Sequence, residues 1–145
     1  MGAMAEVTRD SLPEFAATFV AALPAARGAR AHIVGLSGDL GAGKTTFVQN
    51  VARALGAGDT VVSPTFVFAQ RHPINHPVFE ALIHIDAYRL EPGEASTIGW
   101  QQYAANPAYL VLVEWPEKMG GDFPLDAPIL TFSVTGEDTR TITYA

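Results

Sequence analysis

Ile33-Val34-Gly35-Leu36-Ser37-Gly38-Asp39-Leu40-Gly41-Ala42-Gly43-Lys44-Thr45-Thr46 is the stretch on which the fold of this chain turns. Its apolar start, within Ala31 to Leu36, reads as a buried first strand. Gly38 to Thr45 then keeps the spacing G-x-x-x-x-G-K followed by Ser or Thr, and Thr46 to Leu55 reads as a helix that Gly56 and Gly58 stop. A glycine-rich turn between a strand and a helix is built to hold phosphate. Without a Cβ in the way, successive backbone N–H groups can curl around a polyphosphate, and the helix N-terminus adds its partial positive charge. Lys44 is placed to reach the β and γ phosphates, and the hydroxyl of Thr45 to ligate Mg²⁺ between them. Candidate nucleotide contacts are therefore Gly38, Asp39, Leu40, Gly41, Ala42, Gly43, Lys44, Thr45 and Thr46.

Lysine is scarce, Lys44 and Lys118 being the only two, so its presence in the loop is no by-product of a lysine-rich surface. At 145 residues and 48% hydrophobic content the chain can close one core. Met1-Gly2-Ala3 ahead of Met4 reads as an expression scar (1–3), with a single domain over 4–145. There are no cysteines, hence no disulfides and no cysteine zinc site. With no apolar run of the ~20 residues a membrane span needs, a cytoplasmic protein is expected. A net charge of −6 and dispersed arginines leave little for counterion release from nucleic acid, so contact with RNA is expected to run through a protein partner.

Around the loop, Ser11-Leu12-Pro13-Glu14 resembles a capping box opening a helix over Phe15 to Leu23, ended by Pro24 and Gly28. Val61 to Phe68 is β-rich, broken by Pro64; Ala81 to Ala87 is a further strand; a short helix is expected over Glu94 to Tyr103, weakened by Gly99. Between the two β stretches, Arg71 to Pro77 reads as a turn. His72 and His76 would suit a metal on a helix, but Pro73 and Pro77 disfavour that helix. Tyr109 to Val113 is apolar throughout, as a strand covered on both faces should be, and Ile129–Thr135 with Thr139–Tyr144 forms a terminal hairpin.

A phosphate loop needs carboxylate help for its metal at the end of a neighbouring strand. Two strands end that way, one in Asp86 and one in Glu114. One carboxylate is expected near the metal and the other poised to hold metal-bound or attacking water, which makes Lys44, Asp86 and Glu114 the candidate catalytic residues, and Thr45, Asp86 and Glu114 the candidate metal ligands. His84 reads as a core histidine. Tyr88 and Phe66 read as core or hinge residues, and Arg89 as a charge-stabilising finger or one half of an ion pair.

Four motifs in order, Gly38-Asp39-Leu40-Gly41-Ala42-Gly43-Lys44-Thr45-Thr46-Phe47, Ser63-Pro64-Thr65-Phe66, His84-Ile85-Asp86-Ala87-Tyr88-Arg89-Leu90 and Glu114-Trp115-Pro116-Glu117, resemble the bacterial TsaE (YjeE) family across nearly the whole chain. That resemblance implies an α/β fold: one P-loop NTPase-type domain with a mixed central β-sheet flanked by helices. It implies an ATPase of tRNA threonylcarbamoyladenosine (t6A) synthesis that uses ATP/ADP and Mg²⁺ and works with TsaD and TsaB type partners. It also makes Ser63, Pro64, Thr65 and Phe66 a first switch-like segment and Asp86 to Arg89 a second, with Tyr88, Arg89 and Trp115 near the site and Glu114 on the metal directly or through water. Two other classes are testable. A small-molecule P-loop kinase would bring an arginine-rich lid that this chain lacks, while a non-catalytic nucleotide-binding adaptor would share every motif. A GTPase would carry N-K-x-D, but Asn50, Asn75 and Asn106 are followed by Val, His and Pro.

Overall fold

A computed structural model describes residues 3–57, 69–91 and 93–144. Among the described residues, seven strands make one sheet in the order β1-β7-β6-β2-β5-β4-β3. These are β1 (Ala3–Thr8), β2 (His32–Ser37), β3 (Ala69–Pro73), β4 (Ala81–Asp86), β5 (Tyr109–Glu114), β6 (Ile129–Val134) and β7 (Thr139–Tyr144). The four inner strands β6, β2, β5 and β4 pair in parallel, and antiparallel partners β7, β1 and β3 complete the two edges. The sheet is mixed, as expected of this α/β class.

The apolar runs go where covered parallel strands must. Ile33 to Leu36 and Leu110 to Val113 are buried without interruption. Helices α1 (Leu12–Ala21) and α2 (Lys44–Ala54) cover one face over Val34, Leu36, Leu82, Leu110, Leu112 and Phe132. Phe47 is the centre of that layer, with ring centroids 5.8 Å from Phe15, 5.3 Å from Phe19 and 5.6 Å from Phe132. The other face packs Ile33, Ile83, Ile85, Val111 and Val113 against α3 (Trp100–Ala105) and a 3₁₀ segment, Pro116–Asp122. The approach is close there: a Cβ on Gly35 would stand 2.8 Å from Pro116.

Several local expectations need correction. Strand β1 was not foreseen; it starts at Ala3, opposite Tyr144. Helix α1 spans Leu12–Ala21 rather than Phe15 to Leu23, and Ser11 makes no side-chain cap. The Ser11 hydroxyl instead accepts from the Thr8 amide at 2.8 Å, which spends the capping oxygen on the turn out of β1. Arg71-His72-Pro73, read as turn, belongs to β3 and pairs with β4. The single helix expected over Glu94 to Tyr103 is two pieces, a 3₁₀ turn at Ala95–Ile98 and α3, because Gly99 between them is left-handed (φ 82°). The first switch-like segment, Ser63, Pro64, Thr65 and Phe66, lies outside the described residues, as does the β-rich stretch around it.

Candidate functional site

The loop leaves β2 at the carboxyl edge of the parallel strands, the edge at which α/β sheets bind ligands. Three glycines give it its shape. Gly38 (φ 135°) runs against β6, where a Cβ would meet the Phe132 carbonyl oxygen at 2.3 Å. Gly41 (φ 79°) and Gly43 (φ 103°) are left-handed, and no described residue lies within 4 Å of an added Cβ at either. Gly43 then N-caps α2 without a side-chain cap, and the first turn of α2 holds no acidic residue. The leading amides are thus left for an anion, and the cradle fits a phosphate.

The Lys44 side chain folds back into this cradle. Its ammonium donates to the carbonyl oxygens of Gly38 and, at 2.9 Å, of Asp39, and lies 4.2 Å from the centre of the Trp115 ring. Burial pulls its pKa below the usual lysine value, against the upward pull of Glu114, Glu117, Asp86 and Asp39. Trp115 reaches it because the backbone turns sharply at the end of β5. Trp115 is left-handed (φ 62°, ψ 54°), the only non-glycine with positive φ among the described residues, and its amide donates to Leu36. Such strain in a bulky residue persists only where the surroundings hold it. Its ring in turn packs on Tyr88, centroids 5.0 Å apart.

Strand register brings the two carboxylates together. Leu36, Glu114 and Asp86 stand abreast on β2, β5 and β4. Glu114 is buried, 3% exposed. The Thr45 hydroxyl donates to its carboxylate from 2.9 Å to either oxygen, so the loop threonine and the β5 glutamate already share one point in space. Asp86 is more open; its Oδ1 accepts from the Tyr88 amide at 3.0 Å. Burial raises the Asp86 pKa above 3.8, with the Glu114 charge adding to the rise and the Tyr88 amide opposing it. An oxygen set of hydroxyl plus two carboxylates is the donor chemistry a hard divalent cation takes.

The structure therefore gathers Lys44, Thr45, Asp86, Glu114, Tyr88 and Trp115 at one edge. Tyr88 is no core residue: it is 42% exposed, its ring tilted at 51° against Trp115. Arg89 is exposed and makes no ion pair among the described residues. Two features escaped the sequence. His84, taken for a core histidine, is fully buried yet bonds Glu114, Nε2 to Oε2 at 2.6 Å. Beside the loop, a cleft opens between the β1–α1 turn and the β6–β7 hairpin, lined by Thr8, Arg9, Leu12, Glu137, Asp138 and Arg140 and by the loop glycines. Arg140 ties the hairpin to the loop through the Gly41 carbonyl at 3.4 Å. The polar turn residues around positions 8 and 138 were the only sequence signal for that cleft, and their joining is a product of the sheet order.

Comparison with known proteins agrees with this geometry. The protein is 35% identical over 125 residues to the tRNA threonylcarbamoyladenosine biosynthesis protein TsaE of Bacillus subtilis (strain 168), covering 86% of this chain and 76% of that one. It is 36% identical over 114 residues to the protein of the same name from Haemophilus influenzae, covering 78% and 69%. The crystal structure of YdiB from Bacillus subtilis superposes with a TM-score of 0.73 at 24% identity, over 99% of this chain and 84% of that one, which supports the fold. The family model described as threonylcarbamoyl adenosine biosynthesis protein TsaE matches residues 8–142, and with these relatives it establishes that the chain belongs to the TsaE family.

Proposed function

We propose that this protein is an ATP- and Mg²⁺-dependent ATPase that serves t6A formation on tRNA together with TsaD and TsaB type proteins. The observation that carries this reading is the convergence of the Thr45 hydroxyl and the buried Glu114 carboxylate, 2.9 Å apart, at the foot of a phosphate loop whose helix N-terminus is uncapped. Gly38 to Thr46 hold the phosphates through backbone amides, and Lys44 exchanges the Gly38 and Asp39 carbonyls for phosphate oxygens. Thr45, Glu114 and Asp86 hold the Mg²⁺, which when bound offsets the negative charge of the phosphates. Glu114 or Asp86 orients the attacking water as base. The cleft of Thr8, Leu12, Glu137 and Asp138 beside Gly41 and Gly43 is the place for the adenine.

Turnover by the protein alone is slow in this reading. Charge that builds on the phosphates is met by one lysine, while Arg89 is exposed and makes no ion pair among the described residues. A partner that seats Arg89 or supplies its own cation would complete the site. The test is reconstitution of t6A formation from TsaD and TsaB type proteins of the same cell, with this protein and ATP added or withheld. Product should depend on the added protein and disappear with Lys44→Ala. Equal t6A formation with the Lys44→Ala protein would refute the ATPase role.

A further inference from the structure

His84 sits on β4, opposite Leu112 of β5 and Gln70 of β3, inside the layer covered by α1 and α2. It has no exposed surface. Among the described residues its one polar contact is Nε2 to Glu114 Oε2 at 2.6 Å, and Nδ1 has no hydrogen-bond partner there. Burying an imidazole with one nitrogen unpaired costs stability that an apolar side chain of similar size would not. A purely packing role leaves that cost without a return, whereas the contact with Glu114 does not. An ionised carboxylate only accepts, so the proton between the two belongs on Nε2 and the histidine is the donor. Glu114 is thereby held from two sides: Oε2 by His84 from within the core, and both oxygens by the Thr45 hydroxyl from the loop.

We propose that His84 is a positioning residue that fixes the rotation of the Glu114 carboxylate, so that Oε2 is engaged in the core and Oε1 is presented to the metal and water beside Thr45. This rests on the reading of Glu114 as serving the phosphate-bound metal. It differs from a structural role in that the essential feature is a donor at the Nε2 position, not the ring.

Three variants separate the two. His84→Phe keeps the ring and removes the donor. In His84→Gln the side-chain amide reaches the Nε2 position, and in His84→Asn it stops at the Nδ1 position. Two measurements are made on each: Mn²⁺ affinity by electron paramagnetic resonance in the presence of ADP, and the single-turnover rate of ATP hydrolysis at saturating ATP and Mg²⁺. His84→Phe and His84→Asn should each lose about 10-fold in Mn²⁺ affinity or in rate, the scale for removing the partner that orients a ligand, while His84→Gln stays near the wild type. Wild-type values in His84→Phe and His84→Asn would overturn the proposal, and so would a His84→Gln protein as impaired as the other two. If His84→Phe does not fold, the Gln and Asn pair decides alone. If the wild type hydrolyses no ATP, the ATPase reading falls, and the Mn²⁺ series still decides the role of His84.

Discussion

Glu114 shows how much chemistry one side chain can concentrate when strand register places it. Its carboxylate meets a loop hydroxyl and a core imidazole together, with the Lys44 ammonium close enough to feel its charge. Glu114→Gln keeps the shape but removes charge and basicity. ATP affinity should stay nearly intact while single-turnover hydrolysis falls at least ~10²-fold, the scale for losing a positioned acid–base group. Trp115 offers an independent readout. Trp100 is the other tryptophan, buried and donating from its indole to the Asp122 carbonyl, so Trp100→Phe leaves one reporter at the price of about 1 kcal/mol for that bond. In that variant, ATP should change the Trp115 fluorescence as Lys44 leaves the ring for the phosphates. The change should vanish when Lys44→Ala is added. Unaltered fluorescence with ATP demonstrably bound would mean that Lys44 keeps its place on the ring.

Among elements, the phosphate loop is held unevenly. Gly38 is pressed on the β6 backbone, while an added Cβ at Gly41 has no neighbour within 4 Å among the described residues. Gly38→Ala must push β6 away or deform the loop, so it should lower the melting temperature and abolish ATP binding. Gly41→Ala meets no neighbour among those residues and carries mainly the cost of a left-handed alanine, about 1–2 kcal/mol. Thermal unfolding with and without ATP should therefore rank Gly38→Ala well below Gly41→Ala. A reversed order would place the tight contact elsewhere. Helix α2 is anchored from below by Phe47, fully buried among Phe15, Phe19 and Phe132. Phe47→Ala should remove about 3–5 kcal/mol of unfolding free energy in urea titrations, and with it the seat of the loop.

Across the whole molecule, pH should act through two histidines far from one another in the chain. Burial holds His32 and His72 below their ordinary value of 6.5. The unfolded chain then takes up protons first as pH falls, so the stability they contribute is fully present above 6.5 and is lost as pH drops through their lowered values. Asp86 runs the other way: burial raises its carboxyl above 3.8, so it is protonated first in the folded state, and the stability it contributes is fully present below 3.8 and is lost as pH rises through the raised value. Unfolding free energy should thus decline from pH 7.5 toward 5.5, and the His32→Gln, His72→Gln double variant should flatten the decline. A flat wild-type profile would show that both histidines titrate alike in the folded and unfolded chain.

Local signals in the sequence were sufficient wherever a pattern and its neighbours point the same way. The glycine spacing with Lys44 and Thr45, the unbroken apolar run of β5 and the carboxylates that end β4 and β5 are such cases, because backbone freedom, burial and strand ends are properties of adjacent residues. Where two local uses compete for one group, only the folded chain decides. Ser11 could cap α1 or close the turn after β1, and the presence of β1 against β7 settles it for the turn. Long-range register lies beyond any window of sequence. It sets Asp86 abreast of Glu114, turns His84 from a core histidine into a partner of that carboxylate, and joins the first turn of the chain to the last hairpin beside the loop. The residues of each such pair are far apart along the chain, and nothing short of closing the sheet determines that they meet.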